Sequence, residues 1–258
     1  MAIDESVVTE AIVKTYTKRF LENVTLDVAV VGGGPSGLMV AKVLAENGAK
    51  TTLFERKLSI GGGMWGGGIG YNVIVIQEGA KRILDDLGIR SEEYQEGYFV
   101  ADSVESVAKL IAGAKNAGAE IFNLISVEDV VAKKGKVCGL VINRTPIEMA
   151  RLHVDPVTIS AKYVIDATGH AAEVAHIVEK KVGPLRTKTR GILGERAMWA
   201  EDGERFVVEK AGEIFPNVYV TGMAVCAVYG GPRMGPIFGG MLLSGERVAR
   251  LVLKKLGK

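Results

Sequence analysis

The pattern Gly32-x-Gly34-x-x-Gly37 constrains this chain more than any other feature, because it stands between a buried strand and a helix. Leu26 to Val31 is a continuous apolar run, as expected of a strand covered on both faces. Pro35 to Asn47 has helical spacing and stops at Gly48, and Thr51 to Glu55 reads as a second buried strand. Strand, glycine turn, helix and parallel strand make a βαβ unit with a right-handed connection. Gly32 permits the tight turn, Gly34 lets a pyrophosphate approach the backbone, and Gly37 lets helix and strand pack closely. The phosphates then meet the positive end of the helix dipole. Glu55 ends the second strand 23 residues after Gly32, where a carboxylate accepts hydrogen bonds from ribose hydroxyls. An acidic group there favours a free 2′-hydroxyl over a 2′-phosphate, and Arg56 beside it is placed to reach adenine or phosphate. The expectation is a site for an ADP-containing dinucleotide. A ligand-free glycine turn is the plain alternative, and the strand, helix and Glu55 argue against it.

The rest of the chain fits an α/β fold. Glu5 to Leu21 reads as an amphipathic helix with Val8, Ile12, Tyr16 and Phe20 on one face. It is expected to be an arm, about residues 5–22, covering a sheet edge or a neighbouring subunit. Helical patterns follow at Glu78–Leu87 and Ser103–Ala117, and a closing helix at Gly239–Leu256. Strands are expected at Ala119–Leu124, Val127–Ala132, Lys136–Asn143, Tyr163–Ala167 and Val218–Thr221, the second and third joined at Lys133-Lys134-Gly135. Arg186 to Gly203, charged and broken by glycine, is expected to be a mobile loop. The fold class is therefore a Rossmann-like dinucleotide-binding α/β fold, with a central parallel sheet and a small antiparallel β element. Without repeat, low-complexity tract or linker, residues 1–258 read as one domain.

Composition removes several function classes. A net charge of +2, dispersed along the chain, points to neither nucleic acid nor a membrane surface. No apolar run approaches the roughly 18 residues a bilayer span needs. Asp4 and Glu5 stand where a secretory leader needs a basic start. Cys138 and Cys226 form no disulfide framework and suit a reducing cytoplasm.

Few side chains are candidates for chemistry. Of the three histidines, His170 follows the Ala167-Thr168-Gly169 turn at the carboxyl end of a strand, the edge where open α/β sheets bind ligands. His153 lies in a loop as His153-Val154-Asp155-Pro156, where Pro156 stiffens the chain beside Asp155. An imidazole and a carboxylate with open positions suit Fe(II), Mn(II) or Zn(II). Spacing alone favours the blander alternative of a hydrogen-bonded surface histidine, and His176, inside a helical pattern, reads as structural. Cys138 reads as an inert thiol and Cys226 as a slightly better placed but still inert one. Arg233, in the rigid loop Tyr229-Gly230-Gly231-Pro232-Arg233-Met234-Gly235-Pro236, is able to clamp a carboxylate through two parallel hydrogen bonds. A surface arginine is the plain reading, and the flanking glycines favour close approach by a ligand.

The glycine loop, Ala167-Thr168-Gly169 and Val218-Tyr219-Val220-Thr221-Gly222 together resemble flavoprotein oxidoreductases of the glutathione-reductase type, which implies that type of Rossmann-like fold. That group follows its last glycine with an aspartate that contacts the flavin ribityl chain. Here Met223 occupies the position and offers no comparable acceptor. An FAD-dependent oxidoreductase is thus the second reading, and a non-catalytic nucleotide-binding module the third.

A closer resemblance covers nearly the whole chain. Gly32-Gly33-Gly34-Pro35-Ser36-Gly37-Leu38, Gly61-Gly62-Gly63-Met64-Trp65-Gly66-Gly67-Gly68, His153-Val154-Asp155-Pro156, Asp166-Ala167-Thr168-Gly169-His170 and Gly231-Pro232-Arg233-Met234-Gly235-Pro236 carry it. It is to the thiamine-pathway thiazole synthases that use NAD as a substrate, in their archaeal form. The resemblance implies a transferase in which NAD loses nicotinamide, and the ADP-ribose opens, isomerises and condenses with glycine. Addition of sulfide, dehydration and cyclisation then give an ADP-linked thiazole carboxylate, with no net hydride transferred. It implies that Ser36, Glu55, Arg56 and Gly63 hold the ADP portion and that Val127 lies against adenine. Met223 would line the nucleotide channel, with His153, Val154 and Asp155 also against the nucleotide. Arg233 would bind the glycine carboxylate, and Asp155 and His170 would hold Fe(II). The eukaryotic branch has a sulfur-donating cysteine two residues before the aspartate. His153 stands there in this chain, which implies free sulfide and repeated turnover, with His153 as proton shuttle or as hydrogen-bond partner. The family also implies a homo-octamer with sites shared between adjacent subunits.

Overall fold

In the computed structural model, which describes residues 3–258, the glycine loop sits at the carboxyl edge of a parallel sheet. The elements in chain order begin with α1 (Glu5–Glu22), β1 (Thr25–Val31), α2 (Pro35–Glu46) and β2 (Thr51–Glu55). Next come β3 (Val73–Gln77), α3 (Glu78–Asp86), β4 (Ser91–Gln95), β5 (Tyr98–Asp102) and α4 (Ser103–Asn116). The middle of the chain holds β6 (Glu120–Asn123), β7 (Ile125–Lys133), β8 (Lys136–Arg144), α5 (Thr145–Met149) and β9 (Val157–Asp166). The last third holds α6 (Glu173–Lys181), α7 (Ala200–Lys210), β10 (Gly212–Phe215), β11 (Val218–Val220), α8 (Met223–Tyr229) and α9 (Gly239–Leu256).

The main sheet runs β10-β11-β9-β1-β2-β6. Its five strands from β11 to β6 are parallel, and β10 closes one edge antiparallel to β11. Such strands are buried on both faces, which is why β1 and β2 read as unbroken apolar runs. The β7–β8 hairpin turns at Lys134 and Gly135, both with positive φ, and joins the sheet through β8 pairing with the first half of β9. A separate antiparallel sheet, β3-β5-β4, lies between α2 and α4 in sequence.

The fold class is the one expected from the sequence, with local differences. Strand β9 begins at Val157, six residues before the Tyr163 start read from the sequence, because its first half pairs with β8. Residues Ala200–Gly203, expected within a mobile loop, form the first turn of α7. The arm α1 covers the β6 edge: Tyr16 and Phe20 pack edge-on against Phe122, and Arg19 bonds Glu120. Its first half carries Val7, Val8, Ile12 and Val13 exposed. Among the described residues no helix is long and apolar enough to cross a membrane.

Candidate active site

The site is built where β1, β2, β9 and β11 end. Gly32 has φ +101°, and a Cβ there would lie 2.4 Å from the Ala167 carbonyl oxygen, so the turn after β1 runs against the turn after β9. At Gly37 a Cβ would lie 2.0 Å from the Gly32 oxygen, which is the close strand–helix approach that puts the α2 N-terminus over the cleft. Gly34, the α2 N-cap, has no atom near its missing side chain and borders open space. Ser36 is buried against Gly222.

Three glycine-rich segments converge on this point. Gly61 donates its N–H to the Gly33 oxygen at 2.7 Å, laying the 61–68 loop over the 32–37 loop. Trp65 anchors that loop by donating from its indole Nε1 to the Ile60 oxygen at 2.6 Å. Gly68 packs on Pro236, which brings in the loop that carries Arg233. Together they enclose a cleft of about 580 Å³, within the range of pockets that take most of a nucleotide-sized ligand. Gly32, Gly34, Ser36, Glu55, Arg56, Gly63, Val127, His170, Met223 and Arg233 all line it. Gly37 acts from behind through packing.

Glu55 is buried and holds the loop itself: Oε2 accepts from Gly33 N at 2.7 Å and Oε1 from Lys57 N at 2.8 Å. Each oxygen keeps a lone pair for a ribose hydroxyl. Arg56 is ion-paired with Glu173 at the rim. Burial raises the Glu173 carboxyl above its ordinary range, and Arg56 opposes that shift. Asp166, at the end of β9, is wholly buried. Its Oδ1 accepts from the Thr168 hydroxyl at 2.7 Å and its Oδ2 from Ala175 N at 2.9 Å. Desolvation raises its pKa. Asp166 thereby fixes the turn that presents His170.

His170 bonds through Nδ1 to Glu195 Oε1 at 2.7 Å, and Glu195 Oε2 lies 3.8 Å from Arg233 Nε. Sequence reasoning missed Glu195, Glu173 and the structural part played by Asp166. Only Asp166, a polar residue closing an apolar strand, gave a signal. The 153–155 segment is different: His153, Val154 and Asp155 are exposed and do not line the cleft that His170 lines. Among the described residues no three His, Cys, Asp or Glu side chains gather as a metal site. Cys226 is fully buried, and burial pushes its thiol up to about 12, so it stays protonated and inert.

A glycine-loop cleft at the carboxyl edge of a parallel sheet, floored by an acidic strand end, defines a Rossmann-type α/β fold. The particular kind follows from whole-chain comparison. Residues 9–238 match the Thi4 family. The thiamine thiazole synthase of Methanothermobacter thermautotrophicus is 54% identical over 257 residues, 99% of this chain and 100% of that one. That of Methanococcoides burtonii is 52% identical over 258 residues, covering 100% of both chains. The crystal structure of Thermovibrio ammonificans THI4 superimposes with a TM-score of 0.96 at 44% identity, again over 100% of both chains. The chain belongs to the Thi4 family.

Proposed function

We propose that this enzyme of thiazole synthesis makes an ADP-linked thiazole carboxylate from NAD, glycine and free sulfide, with Fe(II), and turns over repeatedly. The observation that carries the reading is that His170 and Arg233 open onto the same cleft as Gly34, Ser36 and Glu55. Nucleotide-holding and reaction-supporting groups thus share one cavity.

In this reading the α2 N-terminus and Ser36 hold the pyrophosphate, and Glu55 accepts from the adenosine ribose hydroxyls. Arg56, Gly63 and Val127 flank the adenosine end, and the buried, apolar Met223 lines the channel. Arg233, half exposed at the mouth, takes the glycine carboxylate in a two-point contact. Its charge and fork orient the amine toward the opened sugar, which lowers the entropic cost of condensation. His153, in place of a sulfur donor, is read as moving or holding a proton at the intermediate.

The donor set of His170 and Asp155 fits a divalent ion with nitrogen and oxygen ligands. Glu195 occupies His170 Nδ1, leaving Nε2 as the ring's donor. Because Asp155 does not line this cleft, the second ligand is assigned to Asp155 of another copy, together with that copy's His153 and Val154. This makes the enzyme a homo-oligomer, read as an octamer, with sites shared between adjacent subunits. Bound there, Fe(II) would act as a Lewis acid and orient sulfide.

The test is mass spectrometry of anaerobic reactions holding the protein, Fe(II) and excess NAD, glycine and sulfide. Several equivalents of an adenylated thiazole per chain, with the protein mass unchanged, are expected. A single equivalent with sulfur lost from the protein overturns the sulfide assignment. No product, with flavin in the purified protein, overturns the whole reading.

A further inference from the structure

Glu195 reaches His170 because of an irregular ribbon outside both sheets. Gly194 N donates to the Ala227 oxygen at 2.9 Å, Arg196 N to the Gly231 oxygen at 2.9 Å, and Trp199 N to the Arg233 oxygen at 3.1 Å. Arg196 adds a side-chain bond from Nε to the Gly230 oxygen at 2.7 Å. These bonds pin the backbone on both sides of Glu195. Its side chain is only 17% exposed, against 52% for His170. The carboxylate is therefore the held partner and the imidazole the presented one.

A carboxylate accepts but does not donate, so the hydrogen of the 2.7 Å contact belongs to His170 Nδ1. In the neutral ring the lone pair is then left on Nε2. Asp166 fixes the backbone turn beneath His170 from the other side, through Thr168. Turn and tautomer are thus set by two different acids, neither of which lines the cleft.

We propose that Glu195 is a positioning residue that locks His170 in the Nδ1–H tautomer and leaves Nε2 as the donor facing a divalent ion. The ion's part rests on the function proposed above; the tautomer does not. Glu195 does not line the cleft and reaches it only through His170. Metal-binding histidines are commonly braced in this way, and loss of the brace costs about 10–100-fold in metal affinity.

The experiment is imidazole 15N NMR on metal-free protein at a pH where the rings are neutral, followed by Co(II) titration read by visible absorption. The chain has 3 histidines, so His170→Gln assigns the signal by subtraction. Wild-type protein is expected to show a protonated Nδ1 and a bare Nε2 at His170. Glu195→Ala should mix the tautomers and weaken Co(II) binding about 10–100-fold. Glu195→Gln, whose amide oxygen accepts the same hydrogen bond, should keep the tautomer and most of the affinity. An unchanged tautomer in Glu195→Ala, or an Nε2–H ring in the wild type, overturns the proposal. So does equal Co(II) affinity in wild type and Glu195→Ala. If wild-type protein binds no Co(II) yet the tautomer shifts in Glu195→Ala, the brace stands and the metal reading of His170 is what fails.

Discussion

Arg233 is held by its backbone while its guanidinium stays at the cleft mouth. Its N–H and carbonyl both bond the neighbouring ribbon, at Arg196 and Trp199, and among the described residues the one ion pair of its side chain is a 3.8 Å contact to Glu195. A guanidinium placed in this way is available for a carboxylate, and its planar fork is what a lysine lacks. Arg233→Lys is expected to raise the KM for glycine about tenfold, equivalent to about 1.4 kcal/mol, while NAD affinity holds. Equal losses for both substrates would refute the assignment. At this scale the sequence was informative wherever a residue stood in a motif. Gly32, Gly34, Gly37 and Glu55 were legible from spacing. For His170 and Arg233 the surrounding turns indicated only a place beside the ligand edge, spacing alone favoured plain surface groups, and the roles came from the family resemblance. Glu195 was not legible at all, because its partners lie 25 and 38 residues away and meet it only through a ribbon without regular spacing.

At the scale of elements, α9 starts over a buried acid. Glu204 on α7 accepts from Gly240 N at 2.6 Å through Oε2, while Oε1 and the nearby Gln77 Oε1 on β3 are both buried without a partner among the described residues. Burial pushes the Glu204 carboxyl up to about 7, against the opposing hydrogen bond from Gly240. A proton on the acid supplies the donor that two buried acceptors lack. Below the ordinary value of 4.5 the carboxyl is protonated whether folded or unfolded. Between there and about 7 only the unfolded chain ionises, so stability falls as pH rises through that window and stays lower above it. The loss is on the order of 3 kcal/mol, at about 1.4 kcal/mol for each tenfold difference in proton affinity between the folded and unfolded chain. Glu204→Gln keeps the shape and a permanent donor. Urea unfolding should show the variant gaining on wild type by about 2–3 kcal/mol between pH 4.5 and pH 8; parallel pH profiles would sink the assignment.

The same elements show what the sequence could not reveal. The β1-α2-β2 unit was legible because burial on both faces and a glycine turn leave strong patterns. The β3-β5-β4 sheet was not: β4 is Ser-Glu-Glu-Tyr-Gln, almost wholly exposed, and its place is set by backbone pairing to β5. Helix α7 was hidden because charged residues and Gly203 mask its buried face, where Gly203, Glu204 and Val207 pack.

At the scale of the molecule, the two proposed metal ligands of one chain lie apart. His170 lines the cleft, Asp155 does not, and the loop around Asp155 exposes Leu152, Val154 and Val157 to solvent. Exposed apolar residues next to the carboxylate proposed as the second ligand suit a surface that another copy covers. If each site takes His170 from one copy and Asp155 from another, Asp155→Ala and His170→Ala should each be inactive. Both should still bind NAD, because the glycine loop is intact in both. Co-expressed in equal amounts, the two variants assemble some sites that draw His170 from one variant and Asp155 from the other. Random mixing makes about a quarter of the sites whole, so about a quarter of wild-type turnover should return. Sites built within one chain would instead return none, since every chain in the mixture would lack one ligand. The double variant mixed with wild type supplies the control. Each whole site then needs both contributing chains to be wild type, so activity should fall to about a quarter under shared sites and only to about half under unshared ones.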